Sequence, residues 1–223
     1  MHHRTKALLS AALICLSFSS SFSQSFKDRF YQSTGWSAFL DYFKMPTFLE
    51  DNSYAANPAG LSMVTYFYKP RVNLYDFNEN TSIDLHAIPA LGLSYASTNG
   101  GEAWLGSISL PVMAGFNFGN ISTYDTKQNH GFGIGVGMEY FNGGLFIVNK
   151  STSASRVTGV FQPAMELCYR YWSKSNKAKE LSLFAGFKGK GASDLVQGDP
   201  DLQGENISGS WHFRFAWSTY IDY

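Results

Sequence analysis

The strongest constraint on the fold is the alternation of residue type over Ile207 to Tyr223, which reads ISGSWHFRFAWSTYIDY. Odd positions carry Trp211, Phe213, Phe215, Trp217, Ile221 and Tyr223; even positions carry Ser208, Ser210, His212, Arg214, Ser218, Tyr220 and Asp222. Side chains of a strand alternate faces with period 2, so this run makes a ribbon with one aromatic and one polar face. A soluble sheet can do this with its apolar face inward. However, the run is longer than the usual strand of about 5–6 residues, and it suffices for a bilayer crossing of about 9–11 tilted residues.

The same alternation recurs along the chain. Seven further segments show it: Gly35 to Met45, Leu61 to Phe77, Ser82 to Ser97, Ala103 to Gly119, Gly131 to Val148, Val157 to Trp172 and Leu181 to Lys190. The first is ambiguous, because Trp36, Phe39, Leu40 and Phe43 also fall at helical spacing; a strand is favoured, since it makes the count even. Turn-type residues separate the segments, among them Asn78 to Thr81, Thr98 to Glu102 and the charged Lys174 to Glu180. In Gly131 to Gly137, glycine alternates with Phe132, Ile134 and Val136, which reads as a strand whose glycine face meets a crowded interior or a close neighbouring backbone, rather than a phosphate-binding loop.

Eight alternating segments in simple succession predict an all-β fold, an up-and-down antiparallel transmembrane β-barrel. A secreted soluble β-domain is the alternative. Strand length favours the barrel, as do aromatic residues gathered near the ends of several runs, where interfacial girdles belong.

Composition bears on compartment and partners. The first residues carry Arg4 and Lys6, then an apolar run from Ala7 to Phe18, then small residues at Ser21 and Ser23. That order is expected of a signal peptide spanning 1–23, leaving 24–223 as one barrel domain. Cys168 is then the one remaining cysteine, so neither an internal disulfide nor a cysteine metal cluster is expected. Seventeen basic and seventeen acidic residues balance, which gives no footprint for nucleic acid. No cofactor is expected. His86, His130 and His212 are the histidines that could act near a serine and an acid, but no spacing marks a triad, and an enzyme is not expected.

If the apolar faces look outward, the other faces enclose Asp41, Lys69, Arg71, Asp84, His86, Glu139, Glu166, Arg170, Lys188, Lys190, His212, Arg214 and Asp222. Enclosed charges are tolerable only when paired and hydrogen-bonded. An eight-stranded barrel is just wide enough to be filled by side chains. A salt-bridged, closed lumen is therefore favoured over a narrow polar pore or a ligand pocket.

The signal peptide, the alternating strands and the terminal aromatic Tyr223 together resemble the small outer-membrane β-barrel (porin-family-like) proteins of Bacteroidota. Asn57 to Leu61, reading NPAGL, is similar to an element of larger fatty-acid-transporter-type barrels and of some secretion-system barrels. The resemblance implies export to the outer membrane, with its lipid and its insertion machinery as partners. It implies a structural or interaction role, with Asn149 to Arg156 and Ala192 to Asn206 as outward-facing loops. Solute passage, or an accessory role in secretion, is the alternative.

Overall fold

A computed structural model describes residues 26–44, 47–48, 54–55, 59–97, 103–143, 145–149, 156–157, 159–187 and 211–221. The expected signal peptide, Lys188, Lys190, Asp222, Tyr223 and the loop Ala192 to Asn206 lie outside these residues.

Among the described residues, eight strands make the wall. They are β1 (Phe30–Lys44), β2 (Ala59–Asn78), β3 (Thr81–Ala87 and Ala90–Ser97), β4 (Ala103–Gly119), β5 (His130–Asn142), β6 (Val160–Trp172), β7 (Ala178–Gly186) and β8 (Trp211–Tyr220). The two parts of β3 lie end to end: both pair with β2 on one side and with β4 on the other. Ile88 and Pro89 join them. Their ladder bonds survive in altered form, with Tyr68 N–H donating to the Pro89 carbonyl at 3.1 Å and Ile88 N–H to the Pro111 carbonyl at 3.0 Å.

Each strand pairs antiparallel with its sequence neighbour, and β8 pairs with β1. The sheet therefore closes on itself as an antiparallel β-barrel with no edge among these strands. The stagger of closure can be followed from pair to pair. Tyr31 faces Arg71, then His86, Met113, Gly137, Ala164, Gly186 and His212. His212 returns to β1 at Phe43, well along the strand from Tyr31. Such a displacement requires strands tilted to the barrel axis and sets the bore. Part of it arises at irregularities in β1 between Trp36 and Tyr42 against β8, and between Ala38 and Asp41 against β2.

Several sequence-based boundaries are corrected. The segment read ambiguously at Gly35 is a strand that begins earlier, at Phe30. Gly131 to Val148 is interrupted rather than continuous: β5 ends at Asn142, and Phe146–Asn149 resumes the antiparallel pairing with β4 in the same direction. Arg156–Val157 is separate from β6 and joins Thr47–Phe48 and Tyr54–Ala55 in a small three-stranded sheet. Lys174 to Glu180 is a turn only in its first part, since β7 starts at Ala178.

Polarity is inverted relative to a soluble barrel. Exposed large apolar side chains project from every strand, including Trp36, Tyr66, Leu93, Val112, Val136, Leu167, Leu183 and Phe215. Buried side chains alternate with them and are mostly polar or charged.

The connections at 79–80, 120–129 and 173–177 lie at one end of the barrel, where β1 begins and β8 ends. The strand ends that flank 45–58, 98–102, 143–159 and 187–210 lie at the other.

Candidate functional site

The interior is organised around Lys69. It sits on the inward face of β2 with Thr65, Phe67, Arg71 and Asn73, as period 2 requires. Its ammonium donates to both oxygens of Glu166 at 2.7 and 2.8 Å, and to Glu180 Oε1 at 2.8 Å. Glu180 Oε2 also accepts from Arg170 Nε at 2.7 Å and from the Tyr220 hydroxyl at 2.8 Å. On the other side, Glu166 lies 3.1 Å from His86 Nε2, and His86 Nδ1 meets Asp84 at 2.5 Å. Asn117 donates to the second Asp84 oxygen. The result is one continuous string from Asn117 across to Tyr220, contributed by β2, β3, β4, β6, β7 and β8.

None of the ionised members is more than 4% exposed. Removing two charges from water costs several kcal/mol per ion, and only multiple short bonds offset that cost. The sharing of each carboxylate between two or three donors supplies those bonds. Glycines make the room. A Cβ on Gly115 would meet Asp84 Oδ1 at 2.7 Å, one on Gly133 would meet Arg170 Nη2 at 3.0 Å, and one on Gly135 would meet the His86 ring at 3.1 Å.

A second polar cluster lies further along the bore. His212 Nδ1 pairs with Glu139 Oε1 at 2.8 Å, and Gln162 donates to Glu139 Oε2 at 2.8 Å. Phe141 stacks on the His212 ring at 4.3 Å. Arg214 reaches Ser109 Oγ at 3.5 Å and lies over Phe184 at 5.9 Å. Between the clusters, Phe67, Ile88, Ala90, Met113, Ala164, Phe184 and Ala216 form an apolar layer. A cavity of about 10 Å³ beside Glu166 and Arg214 has space for about one water. The bore is filled.

The end holding the short connections is also occupied by buried residues. After β4 the chain folds inward, burying Asn120, Ile121, Ser122 and Thr123. Ile121 takes a left-handed backbone (φ 56°) that a β-branched residue rarely adopts. Its carbonyl accepts from Arg71, and the Ser122 carbonyl accepts from Asn73 at 2.6 Å and from Ser82 at 2.5 Å. Arg71 also lies over the Tyr31 ring at 4.2 Å. The Ile121 side chain packs with Tyr31, Ala178 and Tyr220.

Of the residues expected inside, Lys69, Arg71, Asp84, His86, Glu139, Glu166, Arg170, His212 and Arg214 are buried in the bore. The main string brings together Lys69, Asp84, His86, Glu166 and Arg170, while Glu139, His212 and Arg214 fall in the second cluster. Arg71 instead ties the inward fold at Ile121. Asp41 lies on β1 opposite Ser62, and its side chain is outside the described set, as are Lys188, Lys190 and Asp222. Sequence reasoning missed Glu180, the most shared carboxylate, because the charge-rich Lys174 to Glu180 reads as a turn. The available signal was parity, since Glu180 stands two and four residues before the inward Ser182 and Phe184. Tyr31 and Ile121 were missed as well.

No protein-family model matches the chain, and no curated protein matches it. Among solved structures it is similar to the outer membrane protein OprG from Pseudomonas aeruginosa, with a TM-score of 0.44 and 11% identity over 86% of this chain and 94% of that one. It is also similar to Ail, the attachment invasion locus protein of Yersinia pestis, solved with the heparin analogue sucrose octasulfate. There the TM-score is 0.40 and the identity 12%, over 86% of this chain and 98% of that one. The barrel assignment stands on this chain's own strand pairing.

Proposed function

We propose that this chain is an integral outer-membrane β-barrel with a closed lumen, whose role is structural or interactive rather than conductive. The observation that carries the reading is the inverted polarity: every strand turns large apolar side chains out and polar or charged ones in. A water-soluble monomer rarely exposes apolar patches beyond a few hundred Å². In lipid the same wall is favourable, and closure removes the unpaired strand edges that a bilayer cannot solvate.

The filled bore supports a non-conducting role. His86 and His212 are held by buried carboxylates inside the bore, which suits a structural role for both. With the short connections in the periplasm, as is usual for such barrels, the opposite end of the wall faces outward. Two of the connections there are tied together by the pairing of Thr47–Phe48 with Arg156–Val157, which suits a surface that presents a platform to a partner.

The test is fractionation of the full chain with outer membranes, heat-modifiable gel migration, and planar-bilayer recording. The reading expects outer-membrane recovery, faster migration without boiling, and no steady channel steps. Recovery in the soluble fraction without detergent would refute the membrane assignment. Steady steps would refute the closed lumen and favour solute passage.

A further inference from the structure

The outer wall near the short connections carries a feature that the closed lumen does not use. Phe132, Leu167, Tyr169, Leu181, Leu183 and Phe215, from β5 to β8, line a groove of about 260 Å³ on the outside of the barrel. At its short-connection end the chemistry changes. Lys179, facing outward on β7 like Leu181 and Leu183, sets its ammonium 4.6 Å from the centre of the Trp217 ring. His130 Nδ1 meets the Tyr169 hydroxyl at 2.7 Å, with the two rings stacked. The turn between β6 and β7 adds the exposed Lys174 and Lys177.

That turn is held in shape. Ser173 N–H donates to the Lys177 carbonyl at 2.9 Å, Asn176 N–H donates to the Ser173 carbonyl at 3.0 Å, and Asn176 takes φ 52°. No acid interrupts Ser173 to Lys179, and the next residue, Glu180, points inward and is already shared by Lys69, Arg170 and Tyr220. Lys179 and an aromatic pair therefore stand at the end of an apolar groove, and the exposed Lys174 and Lys177 lie on the turn just before Lys179 in the chain.

We infer that this groove and its lysine rim form a binding site for one anionic glycerophospholipid of the inner-facing leaflet. An acyl chain lies along Leu181, Leu183 and Leu167, and the phosphate is held by Lys174, Lys177 and Lys179. The inference rests on the reading of the outer wall as lipid-facing. A lysine near an anionic lipid surface contributes about fivefold in binding. Long lysine stems can lie along the wall while their charge reaches the headgroups, and tyrosine and tryptophan settle at the same depth.

The test uses the full chain in detergent micelles doped with phosphatidylglycerol, phosphatidylcholine or lipid A, and native mass spectrometry counts the retained lipid. The wild type should retain one phosphatidylglycerol several-fold more than phosphatidylcholine. Replacing the three lysines by glutamine should abolish the preference, and replacing them by arginine should keep it. Leu183→Trp, which fills the groove, should lower retention of both phospholipids. Equal retention of the two by the wild type, a preference untouched by the glutamine variant, or a preference for lipid A would each overturn the inference. A chain that stays soluble without detergent would instead overturn the membrane reading, so the two failures are distinguishable.

Discussion

Glu180→Gln is the substitution that most directly probes how the barrel is held together. The carboxylate is fully buried and accepts from Lys69 at 2.8 Å, Arg170 at 2.7 Å and Tyr220 at 2.8 Å. Glutamine has nearly the same shape, so packing barely changes. What changes is charge: Lys69 keeps Glu166, but Arg170 loses its carboxylate, and the new amide turns a donor towards donors. Breaking one side of a buried ion pair costs about 3–5 kcal/mol, because an uncompensated charge remains in a dry interior. The assay is urea unfolding of the barrel reconstituted in lipid vesicles, followed by tryptophan fluorescence and by loss of the fast-migrating gel species. The double variant Glu180→Gln, Arg170→Met should cost less than the sum of the two single variants, by about 0.5–3 kcal/mol. A single-variant loss below about 1 kcal/mol, of the size of an exposed pair, would refute the account of a desolvated, mutually dependent network.

Three other substitutions probe other layers of the fold. Val136→Arg, at mid-depth on the outer wall of β5, should cost about 2–4 kcal/mol in the same unfolding assay, against about 0–1 for Phe77→Arg near the strand end; equal effects would contradict a hydrocarbon-facing belt. Gly115→Val should destabilise, since even a Cβ there meets both Asp84 oxygens within 2.8 Å while His86 and Asn117 pin that carboxylate; unchanged unfolding would show the string to be loose. Phe184→Ala, in the apolar layer between the two polar clusters, should cost about 3–5 kcal/mol by leaving a cavity, read from the urea midpoint.

The strand pattern was legible because it is local. Period 2 alone assigns Lys69, Arg71, Asp84, His86, Glu139, Glu166, Arg170, His212 and Arg214 to one face, and no knowledge of neighbours is needed. Even the glycines of β5 announced a crowded interior or a close neighbouring backbone. The same rule contained Glu180, but turn composition hid it, since a charge cluster reads the same in a solvated loop and at a strand start.

Pairing was not legible, because it depends on the stagger with which the sheet closes. Whether Lys69 meets Glu166 and Glu180, 97 and 111 residues away, follows from the tilt that carries Tyr31 round to Phe43. A different shear would rotate the same inward residues past one another. The inward fold at Ile121 was hidden for a related reason: a polar segment gives no sign that its carbonyls will answer Arg71, Asn73 and Ser82 across the bore. Face is a property of one strand and is written in one dimension; partnership belongs to the closed cylinder and exists only once all its strands are in register.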